Sequence, residues 1–293
     1  METRGITVGV DGSPESLRAV DWAAAEAERR KVPLRALHAW LWQPLDVAPV
    51  VVEETRERVS AAILRQVETR LAARRPQVSL RTEAVAEPPV PALLKAAQES
   101  GLLVLGSRGH GAVLGFLLGS YGLQVIASAT CPVVAVREAG PDRGEAATGE
   151  VVVGQQAGDA DDADNEVLAF AFGYAALHGA RVRAVRAWNL PVPDAFRPAA
   201  MERAVEAAAL EPMERARLAA AVAPWRERYP GVPVVEHVEL GNAGQVLLSA
   251  AAGARLLVVG RRARPYALGA RIGSTAYAAL HHAGCPVAVV PHD

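Results

Sequence analysis

The feature that most constrains the fold is an internal repeat, because short motifs of the first half return in the second half in the same order. The clearest pairs, which all share one offset along the chain, are Gly106 and Gly260, Gly119-Ser120 and Gly273-Ser274, and Cys131-Pro132 and Cys285-Pro286. Nearer the start of each half, Gly9 aligns with Gly154 and Trp40 with Trp188, at slightly smaller offsets. A register kept over so many features indicates a duplicated domain.

The length of 293 residues is sufficient for two domains. We predict a first domain over residues 1–138 and a second domain over residues 150–293. The segment from Glu138 to Glu150 is rich in Gly, Pro and charged residues, which is typical of a linker.

Composition narrows the classes of function. The 31 Lys and Arg balance 32 Asp and Glu, and a net charge of −1 argues against a basic surface for nucleic acid. The two cysteines are too few for a disulfide-stapled scaffold or a four-cysteine zinc site, and we predict no metal site. Lysine occurs only at Lys31 and Lys95, neither of which follows a Gly-rich turn, so the phosphate loop that ends in Gly-Lys-Ser/Thr is absent.

We expect a cytoplasmic protein without membrane contact. The N-terminus lacks the basic start and long apolar run of a signal peptide. The stretch from Gly111 to Val136 is uncharged and long enough to span a bilayer, but it contains several glycines and Pro132, and its second copy carries Arg264 and Arg271. A loop and helix of a globular fold explain both copies better.

The hydrophobic pattern alternates between strand and helix periods. A β-rich run at Ile6–Val10 is followed by Ser13, a candidate N-cap, and by Pro14 at the first position of a helix that ends near Lys31. Further strands are predicted at Leu34–Trp40, Val78–Val85, Leu102–Leu105 and Val133–Val136, and further helices at Glu53–Ala73, Val90–Glu99 and Ser120–Ser128. Nearly all-apolar strands alternating with helices predict two doubly wound α/β domains, each with a parallel sheet covered on both faces.

Two loops of the first half are candidates for a ligand site, because open parallel sheets bind ligands at the carboxyl ends of their strands. The first is Gly9–Ser13, where Asp11 could accept hydrogen bonds from a ribose or a purine amine. The second runs from Gly106 to Ser120, and its glycines and helix start favour close approach of a phosphate, with Arg108 adding charge. Taken alone, each residue is more often only a turn residue or a helix cap, but the combination and its spacing are more specific.

The second loop, Gly106-x2-Gly109-x9-Gly119-Ser120, resembles the ATP-binding signature of the universal stress protein family. Val8–Ser13 is similar to that family's first-strand motif and Cys131–Val136 to its final strand, and the resemblance covers nearly the whole chain as two tandem copies. It implies two Rossmann-like domains of the adenine nucleotide alpha hydrolase type, each with a five-stranded parallel sheet, and a site for ATP or another adenine nucleotide. The implied nucleotide-binding residues are Gly9, Asp11, Gly12, Ala39, Gly106, Arg108, Gly109, Gly119, Ser120 and Tyr121.

The second half departs from this pattern. In the alignment of the two halves, Gln156 replaces Asp11, Ala157 replaces Gly12 and Ala263 replaces Gly109. A methyl group at position 263 disfavours positive φ and crowds an approaching anion, so we predict a weaker or altered site there. Its candidate residues are Gly154, Gly260, Arg262, Gly273, Ser274 and Thr275.

The resemblance implies a nucleotide-binding regulatory protein of the stress response, in which ATP acts as a conformational or assembly ligand and is not rapidly consumed. It leaves open whether Mg²⁺ accompanies the nucleotide. The alternatives are a slow ATPase and an interaction module with vestigial sites; no catalytic residue is predicted. The resemblance also favours pairing of the final strands, Val133–Val136 and Val287–Val290, which would make the chain a pseudo-dimer able to dimerise again. The signalling partner is unknown.

The two cysteines occupy equivalent positions before proline. A redox pair is one interpretation. We favour the other, in which Cys131 and Cys285 are small buried side chains at the start of a strand.

Overall fold

The computed structural model describes residues 4–40, 49–107, 120–137, 148–156, 165–190, 200–263 and 272–292. The described residues between 4 and 137 lie in one compact unit, and those in 148–262 and 273–292 lie in a second. The elements of the first unit are β1 (Ile6–Gly9), α1 (Pro14–Arg30), β2 (Leu34–Ala39), α2 (Pro49–Arg74), β3 (Leu80–Val85), α3 (Pro89–Glu99), β4 (Leu102–Gly106), α4 (Ser120–Ser128) and β5 (Val133–Val136). Those of the second unit are β6 (Thr148–Gly154), α5 (Glu166–His178), β7 (Arg181–Trp188), α6 (Ala200–Arg228), β8 (Val234–Leu240), α7 (Ala243–Ala250), β9 (Ala254–Arg262), α8 (Ser274–His282) and β10 (Val287–His292).

The first unit contains a five-stranded parallel sheet in the order β3-β2-β1-β4-β5. The chain winds from β1 through α1 and α2 to β3 on one side and then crosses back through α3 to β4 on the other side. With right-handed crossovers this places α1 and α2 on one face and α3 and α4 on the other, and each of these helix pairs is in contact. The predicted doubly wound α/β architecture is confirmed.

Burial follows the position of each strand in the sheet. The inner strands β1 and β4 are buried along almost their whole length, while β3 at the edge is mostly half-exposed. Solvent therefore reaches the sheet at its edge strand and at the ends of its strands. On the inner strands β1 and β4, polar groups that bind a ligand are expected at the carboxyl ends.

Local signals at the start of α1 behave as the sequence predicts. Ser13 is the N-cap and its hydroxyl accepts the backbone N–H of Ser16 at 3.1 Å, and Pro14 takes the first helical position. At the other end Lys31 adopts left-handed backbone angles with φ 57°. Predicted and observed bounds of α4 and β5 are identical, while α2 begins at Pro49 instead of Glu53.

The second unit repeats the same topology, with the order β8-β7-β6-β9-β10 and parallel pairing throughout. The start of α8 is displaced from the start of α4 by the same offset that separates Gly260 from Gly106, and β10 is displaced from β5 equally. The spatial repeat thus keeps the offset of the sequence repeat. In the part of the chain that the structure describes, no helix is both long enough and apolar enough to cross a bilayer.

Candidate functional site

The candidate site lies where the winding of the first sheet reverses. Strand β1 pairs with β2 on one side and with β4 on the other, and the connections leaving β1 and β4 run in opposite directions. The carboxyl ends of β1 and β4 therefore flank a topological switch point, the usual place for a ligand in an open parallel sheet.

The turn after β1 is held by hydrogen bonds among three side chains. Asp11 Oδ1 accepts the backbone N–H of Ser13 at 2.9 Å and its hydroxyl at 2.5 Å, and Ser16 Oγ donates to the Ser13 carbonyl at 2.9 Å. Both of these bonds from Ser13 fall on the same carboxylate oxygen, Oδ1. The turn therefore presents an exposed, oriented carboxylate.

These bonds also set the protonation of Asp11. Partial burial raises the pKa of this carboxyl, but the hydrogen bonds from Ser13, assisted by Ser16, outweigh it, and the net pKa is lowered. Asp11 is therefore ionised at neutral pH and can act as a hydrogen-bond acceptor only.

Gly12 completes the turn in a conformation that side chains avoid. Its φ is +81°, and a Cβ at this position would lie 3.0 Å from Cγ1 of Ile63 on α2. Helix α2 is fixed to α1 through Asp21, which accepts Nε of Arg70 at 2.7 Å, Nη2 of Arg70 at 2.6 Å and Nη1 of Arg74 at 3.0 Å. Helix α2 therefore packs against the turn through Ile63.

Gly106 brings the end of β4 against the first turn of α1. A Cβ on Gly106 would lie 2.6 Å from the backbone carbonyl of Glu15 and 2.7 Å from the backbone nitrogen of Ser16. Only glycine permits this approach, so the residue has a packing role whatever ligand binds. Ser16 Oγ also accepts the backbone N–H of Asp11 at 3.4 Å, so Ser16 contacts both the turn after β1 and the end of β4.

Ser107 follows directly and supplies a buried polar atom at the same edge. Its backbone N–H donates to the Val136 carbonyl at 2.8 Å, and its side chain is almost wholly buried. Within the described ranges its Oγ has no hydrogen-bond partner. A buried hydroxyl without a partner is uncommon, and a hydrogen-bonding ligand at this edge would satisfy it.

His38 joins the ends of β2 and β1. Its ring is buried, and Nδ1 lies 2.7 Å from the carbonyl oxygen of Val10. Because a carbonyl can only accept, Nδ1 carries the proton in this bond. Ala39, predicted to line a base pocket, ends β2 beside His38 and is partly buried.

The remaining predicted residues of the first unit divide between described and undescribed positions. Gly9 ends β1, and a Cβ there would meet Leu105 at 2.9 Å. Ser120 begins α4, and Tyr121 is 55% exposed on its first turn. Arg108, Gly109 and Gly119 lie outside the described residues.

In the second unit a buried charged network occupies the corresponding strand ends. Arg186 is 3% exposed, and its Nε donates to Glu214 Oε2 on α6 at 2.5 Å. Its Nη1 donates to Gln155 Oε1 at 2.6 Å and to the Gln156 carbonyl at 3.3 Å. Arg217 donates to the other Glu214 oxygen at 2.6 Å. We call these five residues the Arg186 network.

The other candidate positions of the second unit have their own contacts. Their placement is as follows: Gly154 lies against Leu247, Gly260 lies against His292 and Val167, Arg262 is exposed at the end of β9, Gly273 is the N-cap of α8, Ser274 is exposed and Thr275 is partly buried. Arg261 is buried beside Gly260, and burial lowers the pKa of its guanidinium. One of the two consecutive arginines that follow Gly260 is therefore buried in the protein.

Sequence reasoning missed Ser16, Ser107 and the Arg186 network. Ser107 occupies a variable position of the glycine motif, which carries no chemical signal by itself. The alignment of Arg186 with His38 was a usable signal, since a long cation at a buried strand end requires a partner. In the described ranges no three His, Cys, Asp or Glu side chains are grouped as metal ligands would be.

The fold and its two switch points define a tandem protein of Rossmann-like α/β units, and comparison with known proteins assigns it further. The model of the Universal stress protein family matches residues 2–137 and 155–291. A universal stress protein of Mycobacterium tuberculosis strain H37Rv is 31% identical over 297 residues, covering 97% of this chain and 96% of the relative. A second from the same strain is 30% identical over 292 residues, covering 97% and 95%. The crystal structure of a universal stress protein from Archaeoglobus fulgidus superposes with a TM-score of 0.72 at 16% identity, over 100% of both chains.

The chain belongs to the universal stress protein family. It carries two copies of the family's domain, as the repeat and the motifs predict.

Proposed function

We propose that the protein binds an adenine nucleotide, with ATP as the expected ligand, at the carboxyl edge of the first unit. The observation that carries the proposal is the meeting of the turn after β1 with the end of β4 at Ser16, where Asp11 and Gly106 both contact it. An oriented carboxylate and a glycine-bearing strand end at a switch point are the elements that nucleotide sites of this topology use.

The roles of the described residues follow from their chemistry. The exposed carboxylate of Asp11 would accept hydrogen bonds from ribose hydroxyls or a purine amine, with Ala39 beside the base. Ser107 Oγ, buried and without a partner in the described ranges, would bond the ligand near Gly106. By the sequence motif, Arg108, Gly109, Gly119 and Ser120 would hold the phosphates at the start of α4.

We propose further that the nucleotide acts as a conformational or assembly ligand in a cytoplasmic stress response, without rapid turnover. Family membership supports the stress-related role. A bound nucleotide that favours one conformation shifts its population by the difference in affinity between states. Assembly of two chains into a dimer of pseudo-dimers is the corresponding proposal for oligomeric state.

The test is nucleotide retention and affinity of the full chain. Native mass spectrometry of the purified protein and calorimetric titration with ATP, each with and without Mg²⁺, should detect a bound nucleotide. Gly119→Glu should abolish it, because a carboxylate at the predicted phosphate position repels the ligand. Gly231→Glu adds the same charge in a turn where the added Cβ would meet no atom within 4 Å, and should bind normally. Unchanged ATP affinity in Gly119→Glu would refute the site.

The slow-ATPase alternative is separated by phosphate release. Under the proposed function, inorganic phosphate stays at the level of the Gly119→Glu control over hours. Steady release that Asp11→Ala abolishes would instead establish an enzyme.

A further inference from the structure

The two units place different residues at the same point of the same fold. The equivalent backbone hydrogen bonds after the first strand of each unit, both 2.9 Å long, join Val10 to Leu37 and Gln155 to Val185. The next residue along the second strand is His38 in the first unit and Arg186 in the second. The positions of these two side chains in the sheet therefore correspond directly.

The helices behind them correspond as well. The ends of α2 and α6 are separated by the offset of the sequence repeat, and so are the starts of the strands that follow, β3 and β8. With this offset Glu214 on α6 corresponds to Ser60 on α2, and both residues are buried. The charged pair Arg186 and Glu214 thus occupies the positions that His38 and Ser60 hold in the first unit.

We propose that the Arg186 network takes the place of a ligand in the second unit, so that each chain binds one adenine nucleotide and binds it in the first unit. This inference rests on the proposed function. Arg186 Nη1 bonds the carbonyl of Gln156, the residue that corresponds to Asp11, and the side chain of Gln155 next to it. The strand end that corresponds to the Asp11 turn is therefore already bonded to the protein's own guanidinium.

Opening this edge would carry a large penalty. Glu214 is bonded through both oxygens, and the side chains of Arg186 and Glu214 are only 3% and 8% exposed. Moving Arg186 aside would leave a carboxylate buried without its principal partner. Gln156 in addition lacks the negative charge that Asp11 offers to ribose hydroxyls. We expect ATP to bind the second unit roughly 100-fold more weakly than the first, or weaker still.

The experiment counts and locates nucleotides on the full chain. Native mass spectrometry across an ATP titration should reach one nucleotide per chain. Hydrogen–deuterium exchange should show protection at the ends of β1, β2 and β4 on addition of ATP and no change at the ends of β6, β7 and β9.

The outcomes of this experiment distinguish failure of this inference from failure of the proposed function. Two nucleotides per chain of similar affinity, or protection at the ends of β6 and β7, would overturn this inference and leave the proposed function standing. No nucleotide at millimolar ATP would overturn the proposed function and this inference with it.

A double variant of the first unit tests whether the charged pair is what prevents nucleotide binding. His38→Arg combined with Ser60→Glu installs the charged pair in the first unit and should reduce the stoichiometry from one to zero. Val59→Glu, at a position that is 54% exposed on α2, adds a similar charge on the solvent side and should leave one nucleotide bound. A folded double variant, judged by its thermal melt, that keeps wild-type affinity would overturn the assigned role of the network. If the double variant does not fold, the wild-type count still decides the inference.

Discussion

One oxygen of the Asp11 carboxylate accepts two hydrogen bonds from the same residue, Ser13, at 2.9 Å from its backbone nitrogen and at 2.5 Å from its hydroxyl. The Ser13 hydroxyl in turn caps α1 by accepting the Ser16 backbone N–H. The Ser13 hydroxyl thus belongs both to the helix cap and to the turn that holds the exposed Asp11 carboxylate, so a change at Ser13 should affect both.

The first prediction concerns ligand affinity. Asp11→Ala removes the acceptor for the ribose or purine and should weaken ATP binding by about 10- to 100-fold. Isothermal titration calorimetry measures the loss. Glu99→Ala is the control, because this exposed carboxylate binds Arg35 near the start of β2, away from the Asp11 turn, and should leave the affinity unchanged. Equal affinities of the Asp11 variant and wild type would contradict the assigned role.

The second prediction concerns the pKa of Asp11. Because the folded-state pKa of Asp11 is lowered from 3.8, its ionised form stabilises the fold. This contribution is complete above the unfolded-state pKa and is lost as the pH falls through the folded-state value. Carbon-detected NMR titration should give a pKa below 3.8, and Ser13→Ala should raise it. A pKa that does not move in Ser13→Ala would show that the Ser13 bonds do not set it.

The third prediction concerns the approach of β4 to α1. Gly106→Ala places a methyl group 2.6 Å from the Glu15 carbonyl and should lower the free energy of unfolding by about 1–3 kcal/mol. Gly231→Ala, where no atom lies within 4 Å, is the control and should stay within about 0.5 kcal/mol of wild type. Urea unfolding measures the free energy of unfolding of both variants. Similar losses in the two variants would contradict the close approach of β4 to α1.

The fourth prediction concerns the buried carboxylate of the second unit. Glu214→Gln should destabilise the protein by about 3–5 kcal/mol, because Arg186 then lies buried without its counter-charge. The control is Glu211→Gln on the same helix, whose partner Arg215 is exposed and whose loss should cost about 0.5 kcal/mol. Chemical denaturation of the two variants measures the free energy of unfolding of each. Equal small effects would mean that water reaches the Arg186 pair.

The fifth prediction concerns thiol reactivity. Burial raises the pKa of the Cys131 thiol to about 11, so about one molecule in a thousand carries the reactive thiolate at pH 8. Cys285 is buried too. A thiol reagent should therefore label the native protein at pH 8 far more slowly than the urea-unfolded protein. Fast labelling of native Cys285→Ser, which retains only Cys131, would contradict this expectation.

Much of the fold could be predicted from local patterns. The alternation of apolar runs and amphipathic segments depends on neighbouring residues only, and it located α4 and β5 without error. The start of α2 at Pro49 was missed, because the segment before Glu53 is apolar without a helical period. The repeat offset predicts the starts of α8 and β10 from those of α4 and β5.

The site was only partly accessible to the same reasoning. Asp11 and Gly106 carry recognisable motifs, although whether they bind a nucleotide stays a prediction. The contact of Gly106 with Glu15 and the bond from Arg186 to Glu214 join elements far apart in sequence, and no periodicity encodes them. Such contacts depend on how helices pack across the sheet, which a single sequence does not specify.

The pairing of Arg186 with Glu214 also limits how the second half of the chain can change over generations. Replacing either residue alone leaves an unpaired charge in the interior, so a change to the residues of the first half must pass through a destabilised intermediate or alter both positions together. The buried ion pair therefore disfavours any single substitution that would make the second half more like the first.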